Sequence, residues 1–279
     1  MIIDTHVHFW EYNPVRDSWI DESMAVLKRD FLPEHVVGET WTLGVEGFIA
    51  VQADQSVEET DFLLSLARAN PKIKAVIGWL DLRGDGLEKE LERYALYPDL
   101  KGLRHIVQAE PDGFMLQETF LRGMAKLRRY DLVYEVLVYA PQLEEAVRFV
   151  GRFPDLRFVL DHIGKPNIRD KGFDAWKKQF EQLSRFENCH CKLSGMVTEA
   201  QWKNWTREDL LPYMDFAIEC FGPSRLMFGS DWPVCNLAAD YPAVLDIITT
   251  YIRSLSPSEQ AQILGQNAIS FYQLDETTT

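Results

Sequence analysis

Eight stretches of strand length, each rich in apolar and β-branched residues, recur along the 279-residue chain: Ile2–His8, Val45–Gln52, Ile73–Leu82, Gly102–Gln108, Val133–Tyr139, Phe158–Gly164, Cys191–Gly195 and Leu226–Asp231. They are apolar on both sides rather than strictly alternating, the pattern of parallel strands covered on both faces. Helical patterns fill the intervals. Ser56, with Glu59 three residues on, reads as a capping box ahead of Leu63, Leu64, Leu66 and Ala67, and Asn70-Pro71 supplies the stop. Pro141 opens another helix at a position where a missing N–H is harmless. Eight strand–helix units without a Pro/Gly/Ser-rich linker predict an α/β chain folded as a (β/α)8 TIM barrel, ahead of a doubly wound open sheet. Residues 1–279 are expected to form one barrel domain, since such barrels use about 250 residues. The tail Asp275–Thr279 reads as a frayed end.

Composition narrows the function classes. A hydrophobic content of 46% supports a large core and lies outside the disordered range. The net charge of −14, from 29 Lys+Arg against 43 Asp+Glu, disfavours nucleic acid and anionic membrane surfaces, which call for basic patches. No run approaches the roughly 20 apolar residues of a membrane-spanning helix. Ile2 follows Met1 directly, with no basic region, apolar stretch or cleavage site of a signal peptide, so a cytoplasmic location is expected. Cys189, Cys191, Cys220 and Cys235 form no CxxC pair and are expected to be thiols acting as small hydrophobes.

In a barrel, the loops that follow the strands build the active-site face, and the segments Trp10–Leu32, Pro166–Phe173 and Trp232–Tyr241 are long enough to do so. Side chains at i and i+2 share one face of a strand, so His6 and His8 direct two imidazoles into one space at the end of the first strand. Alone, such a pair also suits satisfied polar groups at a barrel mouth. His162 at the end of the sixth strand and Asp231 at the end of the eighth change the balance, because ionisable residues at several C-terminal strand ends converge on one mouth. Arg104 and His105 on the fourth strand are further candidates, but alternation sends neighbours to opposite faces, and either could be the inward one. Lys192 on the seventh strand could meet a substrate oxygen or snorkel from the barrel end. Trp10, Trp19, Trp79 and Trp232 lie near the expected mouth, where indoles stack on sugar rings or exclude water, with core packing as the bland alternative. His35, behind Pro33, and His190, at the start of the seventh strand, are expected to be structural.

The runs Asp4-Thr5-His6-Val7-His8-Phe9-Trp10, Lys101-Gly102-Leu103-Arg104-His105 and Leu160-Asp161-His162-Ile163-Gly164-Lys165-Pro166 resemble the amidohydrolase superfamily. With Cys191-Lys192-Leu193-Ser194-Gly195 and Gly229-Ser230-Asp231-Trp232-Pro233 added, the chain is similar to the L-fuconolactonase and L-rhamnonolactonase group, akin to 2-pyrone-4,6-dicarboxylate lactonase. The resemblance implies a hydrolase opening a sugar-acid lactone, with His6, His8, His162 and Asp231 around it. The superfamily often adds a strand 4 lysine or glutamate and a strand 5 histidine to hold two metals. Here Val133–Tyr139 has no histidine and strand 4 offers Arg104 and His105, so a binuclear centre is not expected.

The expected chemistry is attack of a water activated by Asp231 on the lactone carbonyl, with the oxyanion stabilised by His6, His8, His162 or Arg104. Arg104, His105, Lys192, Trp10, Trp79 and Trp232 are the expected substrate-binding residues. No obligatory metal is expected; the alternative is one divalent ion, Zn2+ above all, on His6, His8 and Asp231 with His162. A metal-dependent decarboxylase or amide hydrolase and a non-catalytic sugar-acid-binding barrel are the rival functions. The expected partner is a small-molecule lactone, with a homo-oligomer left open.

Overall fold

The computed structural model describes residues 1–274, so the expected fraying of 275–279 lies outside the described residues. Eight parallel strands follow one another in spatial order: β1 (Ile2–Val7), β2 (Val45–Val51), β3 (Ile73–Gly78), β4 (Leu100–Ile106), β5 (Val133–Leu137), β6 (Phe158–Leu160), β7 (Cys189–Leu193) and β8 (Leu226–Phe228). The sheet closes beyond β8, where the Asp231 N–H donates to the His6 carbonyl at 2.9 Å and the His8 N–H to the Trp232 carbonyl at 2.7 Å. Sequence order and spatial order coincide all the way round, which selects the (β/α)8 barrel over the open sheet.

Outward strand faces pack on the helices through Phe48, Val76, Tyr134, Val136, Phe158, Leu160 and Phe228, all buried. Each such side chain contributes roughly 1.5–3 kcal/mol by leaving water. Cys189 and Cys191 lie in this layer as free thiols. Inward faces change character along the strands. Near the N-terminal end, Ile3, Ile49, Ile77, Val133, Val159 and Met227 form a separate apolar cluster, capped by Phe271 and Tyr272 of the C-terminal helix Asn267–Tyr272. Two residues further on, Val133 gives way to Glu135 and Val159 to Asp161, both fully buried, with Arg104 of β4 paired in register to Glu135. The strand period of two thus stacks a charged layer on an apolar one.

The helices obey their local signals. Ser56 caps Val57–Ala69 by accepting from the Glu59 N–H at 3.1 Å, but the Glu59 carboxylate turns away to the Ala53 N–H at 3.0 Å, so the expected box is only half made. His35 accepts the Leu32 N–H at 2.9 Å at its helix start, and His190 packs on Phe271 at 4.5 Å, so both are structural. No helix among the described residues is long and apolar enough to cross a membrane.

Every strand ends before its apolar run does, and the shortfall is largest in β3, which stops at Gly78, β6, at Leu160, and β8, at Phe228. For β6 and β8 the cause is visible in the backbone. His162, Ile163, Gly164 and Lys165 take φ of 51°, 47°, 70° and 45°, and Asp231 takes 61°. Pairing is given up there so that side chains can be aimed, and each non-glycine residue in this left-handed region costs about 1–3 kcal/mol.

Candidate active site

His6, buried at the end of β1, and His8, just past it, bring their Nε2 atoms to 3.2 Å of one another. Nδ1 of His8 lies 2.8 Å from the Val51 carbonyl, which can only accept, so this nitrogen carries the hydrogen and Nε2 keeps its lone pair. The Arg104 guanidinium, which can only donate, is 3.1 Å from Nε2 of His6, while Nδ1 faces the Lys192 ammonium at 3.2 Å and the Asp161 carboxylate at 3.4 Å; with Nδ1 donating to Asp161, Nε2 takes the same acceptor role. Oδ1 of Asp231 stands 3.5 Å from Nε2 of His8 and 3.9 Å from Nε2 of both His6 and His162. His162 is oriented by the Ser194 hydroxyl, 2.9 Å from Nδ1. Two glycines let these side chains approach: a Cβ on Gly195, at φ +64°, would sit 2.5 Å from Nδ1 of His162, and one on Gly229 would sit 2.9 Å from Cβ of His6.

Burial sets the charge states. It pushes the His162 imidazole down to about 3. It also lowers His8 and, reinforced by the Lys192 ammonium, holds His6 well below the usual histidine range. Burial alone would raise Asp231, but His162 and His8 outweigh it and hold the carboxyl below its ordinary value. Neutral imidazoles around a carboxylate are the result. Lone pairs on two converging nitrogens beside a carboxylate oxygen are the donor chemistry that a divalent cation requires. The His6, His8 and Asp231 donor atoms all lie within 4.8 Å of one another, as do those of His6, Asp161 and His162. The first set fits better, because Asp161 is already engaged by Arg104 at 3.1 Å and Lys192 at 3.2 Å.

Of the residues expected from sequence, the structure brings His6, His8, His162, Asp231 and Arg104 together. His8, His162, Asp231, Arg104 and Trp10 line a mouth cavity of about 540 Å³, with Trp19, Tyr139 and Lys165. Four expected substrate contacts lie elsewhere. His105 points outward, stacked on Phe114 at 4.7 Å and bound to Glu110 at 2.8 Å, as the alternation with Arg104 requires. Trp79 donates to His105 Nδ1 at 3.2 Å and belongs to the same outer cluster. Trp232 is fully buried between Phe9 and Phe31, because the turn that aims Asp231 inward sends its neighbour out. Lys192 lies inside the barrel beneath His6, fully buried, 2.6 Å from Glu135 and 3.2 Å from Asp161.

Sequence reasoning missed that buried network. Tyr272 donates to Glu135 at 2.6 Å, Glu135 accepts from Lys192, and Lys192 and Arg104 flank Asp161. Burial, followed by the nearby Asp161 charge, pushes Glu135 up to about 7. At Asp161 the Lys192 ammonium, the His6 side chain and the Arg104 guanidinium outweigh burial and hold the carboxyl well below its usual range. Glu135 had a legible signal, as the lone acidic or basic residue of Val133–Leu137.

Residues 3–274 match the family described as amidohydrolase. The chain belongs to the amidohydrolase family. Among its relatives, L-fucono-1,5-lactonase of Burkholderia multivorans is 40% identical over 98% of this chain and 96% of that protein. The L-fucono-1,5-lactonase of Burkholderia ambifaria is 34% identical, again over 98% and 96%. A crystal structure of an amidohydrolase from Burkholderia multivorans with bound zinc gives a TM-score of 0.94 at 39% identity, covering 98% of this chain and 99% of that one. The family membership read from the strand-end motifs therefore holds, and this amidohydrolase-family barrel presents its cluster at the strand C-terminal ends, where barrel enzymes carry their chemistry.

Proposed function

We propose that the protein hydrolyses a sugar-acid lactone of the L-fucono-1,5-lactone type, with Asp231 as the base. The observation that carries this reading is an ionised carboxylate on the wall of a substrate-sized cavity, ringed by neutral imidazoles at 3.5–3.9 Å. Identity of 40% and 34% over nearly the full length to two L-fucono-1,5-lactonases supports the substrate class. The expectation that no metal is obligatory finds no support: the donor set and the zinc in the related structure favour a divalent ion, which His6, His8 and Asp231 would hold. When bound, such an ion supplies Lewis-acid polarisation of the lactone carbonyl.

The chain's own groups divide the remaining work. Asp231 takes a proton from water as the oxygen attacks the carbonyl carbon. Nδ1 of His162 pairs with the Ser194 hydroxyl; in the tautomer with the hydrogen on Nε2 that hydroxyl donates, and His162 offers its Nε2–H to the developing oxyanion as a neutral donor. Arg104 contributes a fixed positive charge, held by Asp161 and the Gln52 carbonyl. Collapse of the tetrahedral intermediate breaks the ring C–O bond, and Asp231 returns its proton to the leaving oxygen. Trp10 and Trp19, with ring centroids 6.2 Å apart, wall the cavity on the side of the long loop after β1.

A pH-indicator assay of the purified protein against L-fucono-, L-rhamnono- and L-galactonolactones, before and after chelation and with metal content measured, tests the reading. Lactone-dependent acid release that falls on chelation and returns with Zn2+ is expected. A folded, zinc-replete sample that opens none of them would overturn it.

A further inference from the structure

The left-handed turn after β6 is longer than orienting His162 requires. Four consecutive residues, three of them not glycine, hold positive φ, and the run ends at Lys165. It is secured by the Lys165 N–H donating to the His162 carbonyl at 2.8 Å and by the Trp176 indole donating to the Ile163 carbonyl at 2.7 Å. A turn closed between residues i and i+3 aims both end side chains into one space, and His162 and Lys165 do line the same cavity.

Arg104 and Lys165 are the cations on that cavity wall, and they differ in how far they are committed. Arg104 is engaged by Asp161, His6 and Gln52 inside the barrel. Lys165 is paired with Glu199 at 3.2 Å, with the Asp231 charge also acting on it, and the two paired side chains are 17% and 19% exposed. That contact engages Oε1 of Glu199 and leaves its Oε2 outside the pair. Lys165 and Tyr139 also line an adjoining cavity of about 470 Å³ that includes Glu199 and Arg169. An ammonium with unused donors beside a carboxylate with unused acceptor sites matches two neighbouring hydroxyls, each of which both donates and accepts.

We propose that Lys165 and Glu199 form a hydroxyl-recognition subsite at the junction of the two cavities, binding a vicinal diol of the sugar-acid ring. Lys165 donates to one hydroxyl and Glu199 accepts from the next, so the pair selects polyhydroxylated lactones over bare ones. This rests on the lactonase reading above. A pocket built to hydrogen-bond hydroxyls rejects analogues that lack them far more strongly than an apolar pocket rejects added bulk.

The test compares the wild type with Lys165→Met and Glu199→Gln on L-fucono-1,5-lactone and on δ-valerolactone, which has a ring of the same size without hydroxyls. Both variants are expected to lose roughly tenfold or more of the wild-type preference for the hydroxylated lactone, mainly through KM, as removal of hydrogen bonds to charged groups does. Preference retained in the conservative Glu199→Gln variant, or an equal loss on both substrates, overturns the subsite. Quenching of the wall tryptophans by L-fuconate, the product acid, separates this from failure of the lactonase reading. If the wild type turns over neither lactone yet shows saturable quenching that both variants weaken tenfold, the subsite stands and the reaction assignment falls. Absence of quenching in the wild type, or unchanged quenching in the variants, overturns the subsite.

Discussion

Two carboxylates, Asp161 one residue beyond the end of β6 and Asp231 three residues beyond the end of β8, show how the barrel divides its polar interior. Asp161 lies in the charged layer, compensated by Arg104 and Lys192 and closed off from the mouth cavity. Asp231 lies on the cavity wall with imidazoles beside it and the Lys165 charge acting on it. Both are buried and both are held below the ordinary carboxylate range, yet for different ends. The first is neutralised by fixed charges and has no free space to act in. The second faces room for a substrate and neighbours that carry no charge of their own at neutral pH. Compensation with no opening marks a structural carboxylate, and an ionised carboxylate with an opening marks a reactive one.

The largest effect separating the two regions is expected at Asp161→Asn. Removing this charge leaves Arg104 without its carboxylate and Lys192 with Glu135 alone, and should lower stability by about 3–5 kcal/mol, read as a fall in the denaturant midpoint. An unchanged midpoint would erase the distinction between the layers. Tyr272→Phe keeps the shape of the plug but leaves a buried Glu135 oxygen without its donor, a loss of roughly 1–3 kcal/mol in the same measurement. Little change there would detach the C-terminal helix from the charged layer.

A pH effect sharpens the contrast at the closed end of the barrel. Burial, with Arg225 and Arg157 nearby, lowers His190 to about 4 against an ordinary 6.5. Between these values the unfolded chain binds a proton that the folded one does not, so this histidine removes stability as pH falls from 6.5 to 4 and adds no further slope below. His190→Gln should flatten the dependence of Tm on pH within that window. The smallest effect is expected at His105→Leu, on the outer face: kcat/KM on a lactone within a few-fold of wild type, with stability lowered by about 1 kcal/mol through the loss of its hydrogen bonds. A loss of rate beyond a hundredfold would return His105 to the site.

Much of this was legible in the chain. Eight apolar runs fixed the strand count, and the positions of His6, His8, His162 and Asp231 at strand ends followed from where barrel loops carry function. Alternation told that Arg104 and His105 diverge, but choosing between them needed the register that aligns Arg104 with Glu135. The tryptophans were beyond reach for another reason: Trp10 reaches the cavity and Trp232 does not because of loop and turn geometry, which has no period to read. Lys192 was visible as an inward charge, but its partners come from elsewhere in the chain, Glu135 from β5 and Asp161 from the residue after β6.

The most direct test of the central claim is turnover by Asp231→Asn, measured as indicator-detected acid release from L-fucono-1,5-lactone, with circular dichroism to verify the fold. The carboxylate's role as base predicts a folded protein whose kcat falls about 10²–10⁴-fold. A folded variant with kcat near that of the wild type would contradict it.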